Sequence, residues 1–269
     1  METNLRHPGV KWITAAFGAV AGIHILSAAT VDRILAYNEI EYRSNNIPKA
    51  LDGYTAAFLT DIHNYPAQKL IRMVRRVNAR KPDLVLLGGD FSRTRLVSTM
   101  DILSGIRALD GIYGVAGNHD NPARLSHAMK KRGMVLLQNN GLAVRDGLYL
   151  AGVADLRHRR PNVKAALAGA NREEFVLLLS HRPDICMLQD VSGTDLMLSG
   201  HTHGGEISFL GIWAPAMPLE SDYGQKFVSG WCKSAAGTDI FVSRGIGHHL
   251  FRMFARPQVI FLTLRSAKK

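Results

Sequence analysis

Five short apolar runs in this chain each end in a side chain that can bind a metal or a proton. "AAFLTDIHNYP" ends in Asp61 and His63, and "DLVLLGGD" ends in Asp90. "IYGVAGNHD" ends in Asn118, His119 and Asp120. "FVLLLSH" ends in His181, and "LMLSGHTH" ends in His201 and His203. A buried strand rich in leucine and valine needs cover on both faces, and polar groups just beyond its end need a loop that turns sharply. Glycines at 88, 89, 117, 200, 204 and 205 supply such turns. The chain is therefore constrained to a layered fold whose strands end along one rim.

The elements around these runs agree. Strands are expected at Thr55–Thr60, Leu84–Gly88, Ile112–Ala116, Tyr149–Val153, Phe175–Ser180, Leu196–Ser199, Ile240–Ser243 and Val259–Leu264. After Tyr65, Pro66 suits a first helical turn, and Leu70, Met73, Val74 and Val77 recur at helical spacing. Pro122–Arg132 and Pro183–Val191 also read as helices, each opened by proline. Strands alternating with helices argue α/β architecture, and the strand-rich later part calls for a second sheet. No linker divides residues 38–269, which read as one catalytic domain.

Residues 1–37 read differently, as an N-terminal hydrophobic segment. Trp12 to Val31 carries no formal charge, over about the 20 residues that a bilayer-spanning helix requires. An uncleaved membrane anchor is the first expectation. A cleaved signal peptide ending near "SAA" (Ser27–Ala29) and a buried or interfacial helix holding His24 are the alternatives. Lys/Arg residues flank the segment on both sides, so its orientation does not resolve.

Composition narrows the partners. The formal net charge is +11, from 33 Lys plus Arg against 22 Asp plus Glu. Such an excess suits an anionic partner: a lipid headgroup, a phosphorylated compound or nucleic acid. Nucleic acid fits least, because no basic stretch is interleaved with aromatics. Oligomeric state is not legible. Cys186 and Cys232 have no zinc-type spacing and read as buried free thiols, with a single disulfide open to an exported chain.

Taken singly, each strand-end group has an ordinary explanation. Asp-x-His suits a turn, Asp90 suits a helix cap, and His181 suits a satisfied core histidine. Five in succession at the same topological place argue for a site. Carboxylates, imidazoles and one amide, with no thiolate, suit Mn, Fe or Zn. Eight candidate groups are too many for one ion and suit two sharing a carboxylate.

In this order the blocks "DIH", "GGD", "GNHD", "SH" and "GHTH" resemble the calcineurin-like metallophosphoesterase superfamily, over roughly Tyr54 to Gly205. "LSGHTHGGE", "VSRGIG" and "RPQVIFLTL" are similar to its small bacterial phosphodiesterase branch, whose members often carry an N-terminal membrane segment. The resemblance implies an α/β/β/α sandwich: two facing sheets with helices outside. It implies two divalent metals, with Asp61, His63 and His203 on one, Asn118, His181 and His201 on the other, and Asp90 bridging. His119 would stabilise the phosphoryl oxygen or protonate the leaving group, with Asp120 orienting it. The ions would supply an acidified water for attack on phosphorus. Two departures avoid the ligand positions: Thr60 stands where Ser is frequent, and Glu206 where Gln is common.

The expected activity is hydrolysis of a phosphodiester or pyrophosphate bond in a phosphorylated small molecule or a lipid-linked, membrane-proximal substrate. Within the branch, UDP-diacylglucosamine pyrophosphate hydrolysis in lipid A synthesis is an alternative. A metal-binding scaffold without catalysis is the alternative of another class, and it predicts missing ligands where none is missing. Arg244 and Arg252 are candidate contacts for a substrate phosphate. The Gly211–Gly224 loop is a candidate rim or lid, and Phe251, Met253 and Phe254 are a candidate lipid-facing edge.

Overall fold

A computed structural model describes residues 8–157, 160–209, 213–215, 224–247 and 252–268. Most of the Gly211–Gly224 loop, Phe251 and the first seven residues lie outside them.

Two six-stranded sheets organise the chain. The first takes β1 (Ala36–Ser44), β2 (Thr55–Leu59), β3 (Leu84–Leu87), β4 (Ile112–Gly114), β5 (Val135–Leu136) and the closing strand β12 (Gln258–Ser266), in the order β1-β12-β2-β3-β4-β5. The second takes β6 (Asn140–Arg145), β7 (Leu148–Gly152), β8 (Phe175–Leu179), β9 (Leu196–Ser199), β10 (Gly230–Lys233) and β11 (Asp239–Val242), in the order β10-β11-β9-β8-β7-β6. β2 to β5 run parallel, as do β7, β8, β9 and β11. Parallel neighbours need crossovers. Helices α2 (Ala67–Arg80), α3 (Leu96–Leu103) and α4 (Pro122–Lys130) supply them in the first sheet, and α5 (Val163–Ala166) and α6 (Ile185–Leu188) lie between strands of the second.

Three apolar layers hold this together. Between the sheets, Phe58, Leu86 and Leu262 meet Leu150, Phe175 and Leu198. Outside the first sheet, Leu70, Met73 and Val77 of α2 pack with Met100 and Leu103 of α3 and Leu125 and Met129 of α4. Outside the second, Val163 and Ala166 of α5 and Ile185 of α6 cover Ala151, Val176 and Met197. β3 and β8 are buried along their whole length because each is covered on both faces. The result is the four-layer α/β/β/α sandwich.

Every strand expected from the sequence is present, with ends moved by a residue or two. The helix expected over Pro183–Val191 forms only at Ile185–Leu188. α3, α5, β1, β5, β6 and β10 were not expected. β1 reads "AYNEIEYRS"; it pairs only with β12 at the sheet edge, so charged residues are tolerated and hide its alternation.

Helix α1 (Pro8–Ala29) forms where the apolar segment was expected. The expectation of a spanning anchor is not supported: among the described residues, no helix is long and apolar enough to cross a membrane. Its later turns are tied to the body by polar groups instead. The buried His24 ring stacks on Phe209 and meets Phe254 edge-on, at centroid distances of 5.3 and 4.5 Å. Ser27 Oγ and the Phe254 backbone N–H both donate to the buried Asp32 carboxylate, at 2.7 and 2.8 Å.

Candidate metal centre

All seven expected ligands converge where the parallel strands of both sheets end. β2 delivers Asp61 and His63, β3 delivers Asp90 and β4 delivers Asn118. From the facing sheet, β8 delivers His181 and β9 delivers His201 and His203. The connecting backbone is unusual: Asp61, His63, Asp90, His201 and His203 all have φ between 46° and 70°. Left-handed backbone costs a non-glycine residue about 1–3 kcal/mol and gathers at functional sites. The neighbouring glycines are equally constrained. A Cβ on Gly117 would strike Asp90 Oδ1, and one on Gly200 would strike Asp61 Oδ2.

The donor atoms fall into two groups. In the first, His203 Nε2 lies 3.0 Å from His63 Nε2 and 3.4 Å from Asp61 Oδ1. In the second, His181 Nε2 lies 3.0 Å from Asn118 Oδ1 and 3.2 Å from His201 Nδ1. Asp90 Oδ2 stands between them, 3.7 Å from His63 Nε2 and 3.5 Å from His181 Nε2. Atoms that ligate one ion at about 2.1 Å sit roughly 3–3.4 Å from one another in octahedral or tetrahedral geometry, so these spacings fit metal ligation. Asp61 Oδ1 is fully buried without a hydrogen-bond partner, and it faces the His203 and His63 nitrogens. The donor set and this buried lone pair both suit a cation.

Hydrogen bonds around the ligands fix their orientation. His181 Nδ1–H donates to Gly88 O at 2.8 Å, which fixes the ring with Nε2 directed into the site, the atom that would ligate a metal once its proton is displaced. Asp61 Oδ2 accepts from the Thr60 hydroxyl and the His201 backbone N–H. His203 Nδ1 lies 3.9 Å from Glu206 Oε1, and Arg252 Nη2 is 3.2 Å from the same nitrogen.

The charges are strongly coupled. Burial raises Asp61 to about 6, opposed by His181. Burial also works on Asp90, but His181 and His63 override it and hold its carboxyl well below the usual range. For His181 burial favours the neutral ring, yet Asp90 outweighs it and lifts the imidazole to about 10. In the metal-free protein Asp90 and His181 therefore form a buried ion pair, in the place of a carboxylate–metal–imidazole bridge.

His119 stands at the open edge, partly exposed, with Nε2 4.0 Å from Asp90 Oδ2 and its backbone N–H donating to Asp90 Oδ1. Its Nδ1 is in contact with the Arg93 guanidinium, which can only donate. That contact favours the tautomer carrying its proton on Nε2, facing the site.

Three of the expected residues have side chains engaged within the fold. Asp120 is turned to the backbone of its neighbouring loops. Its buried carboxylate accepts the backbone N–H groups of Asp90, Phe91 and Gly117 at 2.7, 3.0 and 2.9 Å, fastening two ligand loops together. Arg252 is not a surface arginine awaiting phosphate. It is buried behind His203 and donates to the carbonyls of His203, Arg244, Ala255 and Gly247. Arg244 is turned toward Arg256 O and the Gln258 side chain.

Two contributors went unread in the sequence. Arg93 follows Asp90 by three residues with no motif to mark it. Asp155 had a signal: β7 ends "LAGVAD", as the ligand-bearing strands do. It is buried, has one oxygen without a hydrogen-bond partner, and its charge helps hold the proton on His181.

A two-sheet sandwich with paired Asp/His/Asn clusters at its rim defines a metal-dependent phosphoester hydrolase. The Calcineurin-like phosphoesterase family model matches residues 54–205, and the chain belongs to that family. A zebrafish (Danio rerio) transmembrane protein with a metallophosphoesterase domain is 30% identical over 98% of this chain, which spans 64% of that relative. The Bacillus subtilis uncharacterized metallophosphoesterase YkuE is 28% identical over 83% of each chain. The Escherichia coli phosphodiesterase YaeI is 28% identical over 77% of this chain and 80% of its own.

Proposed function

We propose that this hydrolase cleaves a phosphodiester or pyrophosphate bond at a dinuclear centre. The observation that carries this reading is the pair of donor groups meeting at one shared carboxylate, Asp90. Asp61, His63 and His203 would hold one ion and Asn118, His181 and His201 the other. When bound, the ions supply Lewis acidity and a water of lowered pKa. The donor set suits Mn, Fe or Zn. The relative named a phosphodiesterase supports a diester over a monoester.

The chain's own residues do the rest. Gly88 O and Asp61's hydrogen-bond partners keep the ligands aimed before a substrate arrives. Asp120 keeps the Asp90 and Asn118 loops in register. His119 presents an Nε2 proton to the leaving oxygen, while Arg93 occupies its other nitrogen. No serine, threonine or cysteine is needed as a nucleophile. Both thiols are free, and burial pushes Cys186 to about 12 and Cys232 to about 11, so neither is a thiolate at neutral pH.

A lipid-linked substrate at a membrane surface is the finer part of this reading. Trp12, Val20, Ile23, Ile25 and Leu26 of α1 are exposed, and the chain's net charge is +11. Exposed apolar helix residues with basic charge suit an anionic lipid interface.

The deciding experiment assays phosphodiesters and pyrophosphates with Mn, using wild type and His119→Ala. General acid–base groups contribute roughly 10²–10⁴-fold, so the variant should lose that much turnover with its metal content unchanged. Full activity of His119→Ala on every ester would exclude this mechanism.

A further inference from the structure

A groove of about 920 Å³ runs between α3 and α4. Its floor is apolar, with Leu96, Val97 and Ala128 among the lining residues, and Val97 is 62% exposed. Around the floor stand Arg93, Arg95, Arg124, Lys131 and Arg132 against one carboxylate, Asp101. Asp101 is paired with Arg132, which it holds through Nε and Nη2 at 2.8 and 2.7 Å. Arg124 and Lys131 have no ion pair among the described residues. Arg93 joins this groove to the chemistry, since the same guanidinium that lines it touches His119.

Uncompensated cations around an apolar floor attract a molecule with both an anionic and an apolar part. The lining contains no Phe, Tyr or Trp, the side chains on which nucleobases stack most strongly, which favours an apolar chain over a nucleobase. The groove also lies on the His119 side of the centre, where the leaving group departs. We propose that this groove binds the leaving-group side of the substrate, and that this part is an apolar chain bearing a second anionic group. The proposal rests on the phosphodiesterase reading above and narrows it to an amphiphilic anion. It assigns Arg124, Lys131 and Val97 to substrate selection, roles that no ligand motif marks.

Three methyl phosphodiesters test this on the metal-loaded full chain, the second alcohol, whose release is followed by mass spectrometry, being methanol (the methyl ester), a long-chain alkanol, or the same alkanol ending in a carboxylate. Wild type should prefer the carboxylate-bearing ester. Arg124→Glu/Lys131→Glu, both at exposed positions, should lower kcat/KM for that ester about tenfold or more and leave the methyl ester unchanged. Val97→Asp should lower both long-chain esters and spare the methyl ester. Equal losses on all three esters, or no change in their ratios, would overturn the proposal. A preference for charge that Val97→Asp does not alter would overturn its apolar part and point to a soluble phosphorylated compound. If wild type turns over none of the esters, the hydrolytic reading has failed. Calorimetric binding of the carboxyalkyl phosphate to wild type and Arg124→Glu/Lys131→Glu then still decides the groove, unchanged affinity being the contrary result.

Discussion

Asp120→Asn is the sharpest probe of how the centre is built. The wild-type carboxylate is 5% exposed and accepts three backbone N–H groups. Asparagine keeps the shape but offers one acceptor. With its oxygen placed for the Asp90 and Gly117 donors, its NH₂ opposes the Phe91 N–H. One buried donor without a partner costs about 1–3 kcal/mol, and two bonds also lose their charge assistance. The sum is roughly 2–5 kcal/mol, or about 5–15 °C in Tm for a chain of this size. Because the Asp90 and Asn118 loops lose their common fastening, metal affinity should fall along with Tm. The assay is thermal denaturation paired with metal titration. Burial, reinforced by Asp90, raises Asp120 to about 7, so wild type itself carries a neutral carboxyl at lower pH. A carboxyl whose folded value is raised makes wild type relatively more stable as pH falls from about 7 toward 3.8, so the gap between wild type and variant should widen over that window. A Tm within about 2 °C of wild type, with metal affinity unchanged, would refute the fastening role.

Other outcomes follow from the same geometry. In the metal-free fold, His181 sits at about 10 against 6.5 for the free side chain; its pairing with Asp90 stabilises fully below pH 6.5 and is lost as pH climbs through 10. Metal must displace that proton, so affinity should rise about tenfold per pH unit between those limits, with proton release visible by calorimetry in buffers of different ionisation enthalpy; pH-independent affinity would contradict the ion pair. Arg252→Met leaves the carbonyls of His203, Arg244, Ala255 and Gly247 without their donor, and metal affinity should fall about 10–100-fold, as for other groups that orient a ligand from behind; a change in KM alone would instead restore a substrate-contact role. For α1, carbonate washing of membranes should leave the full-length chain less tightly held than a spanning protein, and a chain found only in the wash-resistant fraction would contradict an interfacial helix.

The α/β alternation and a second sheet were legible because eight strands are apolar enough to declare themselves, while the four-layer stacking came only from the family resemblance; the ligand blocks were legible because each interrupts such a strand with Asp, His or Asn. β1 and β6 stayed hidden: both lie at sheet edges, where one face meets water and charged residues break the pattern. The roles of Asp120 and Arg252 were hidden for another reason. Their partners are backbone N–H and C=O groups of distant loops, which leave no trace in residue identity. The groove was hidden because α3 and α4 contribute its cations separately, from Arg93–Arg95 and Arg124–Lys131, and only the fold sets them face to face. The "GHTH" pair is the converse case. Its two imidazoles point to different donor groups, His203 toward His63 and His201 toward His181, a division that spacing alone leaves open.

That division is also the most direct test of the dinuclear reading. Anomalous diffraction from Mn-loaded crystals should show two peaks about 3.5–4 Å apart, the spacing of two-metal phosphoesterase sites. One peak should contact His63 and His203, the other His181 and His201, with Asp90 touching both. A single peak, or two peaks with His201 and His203 on the same ion, would contradict the account.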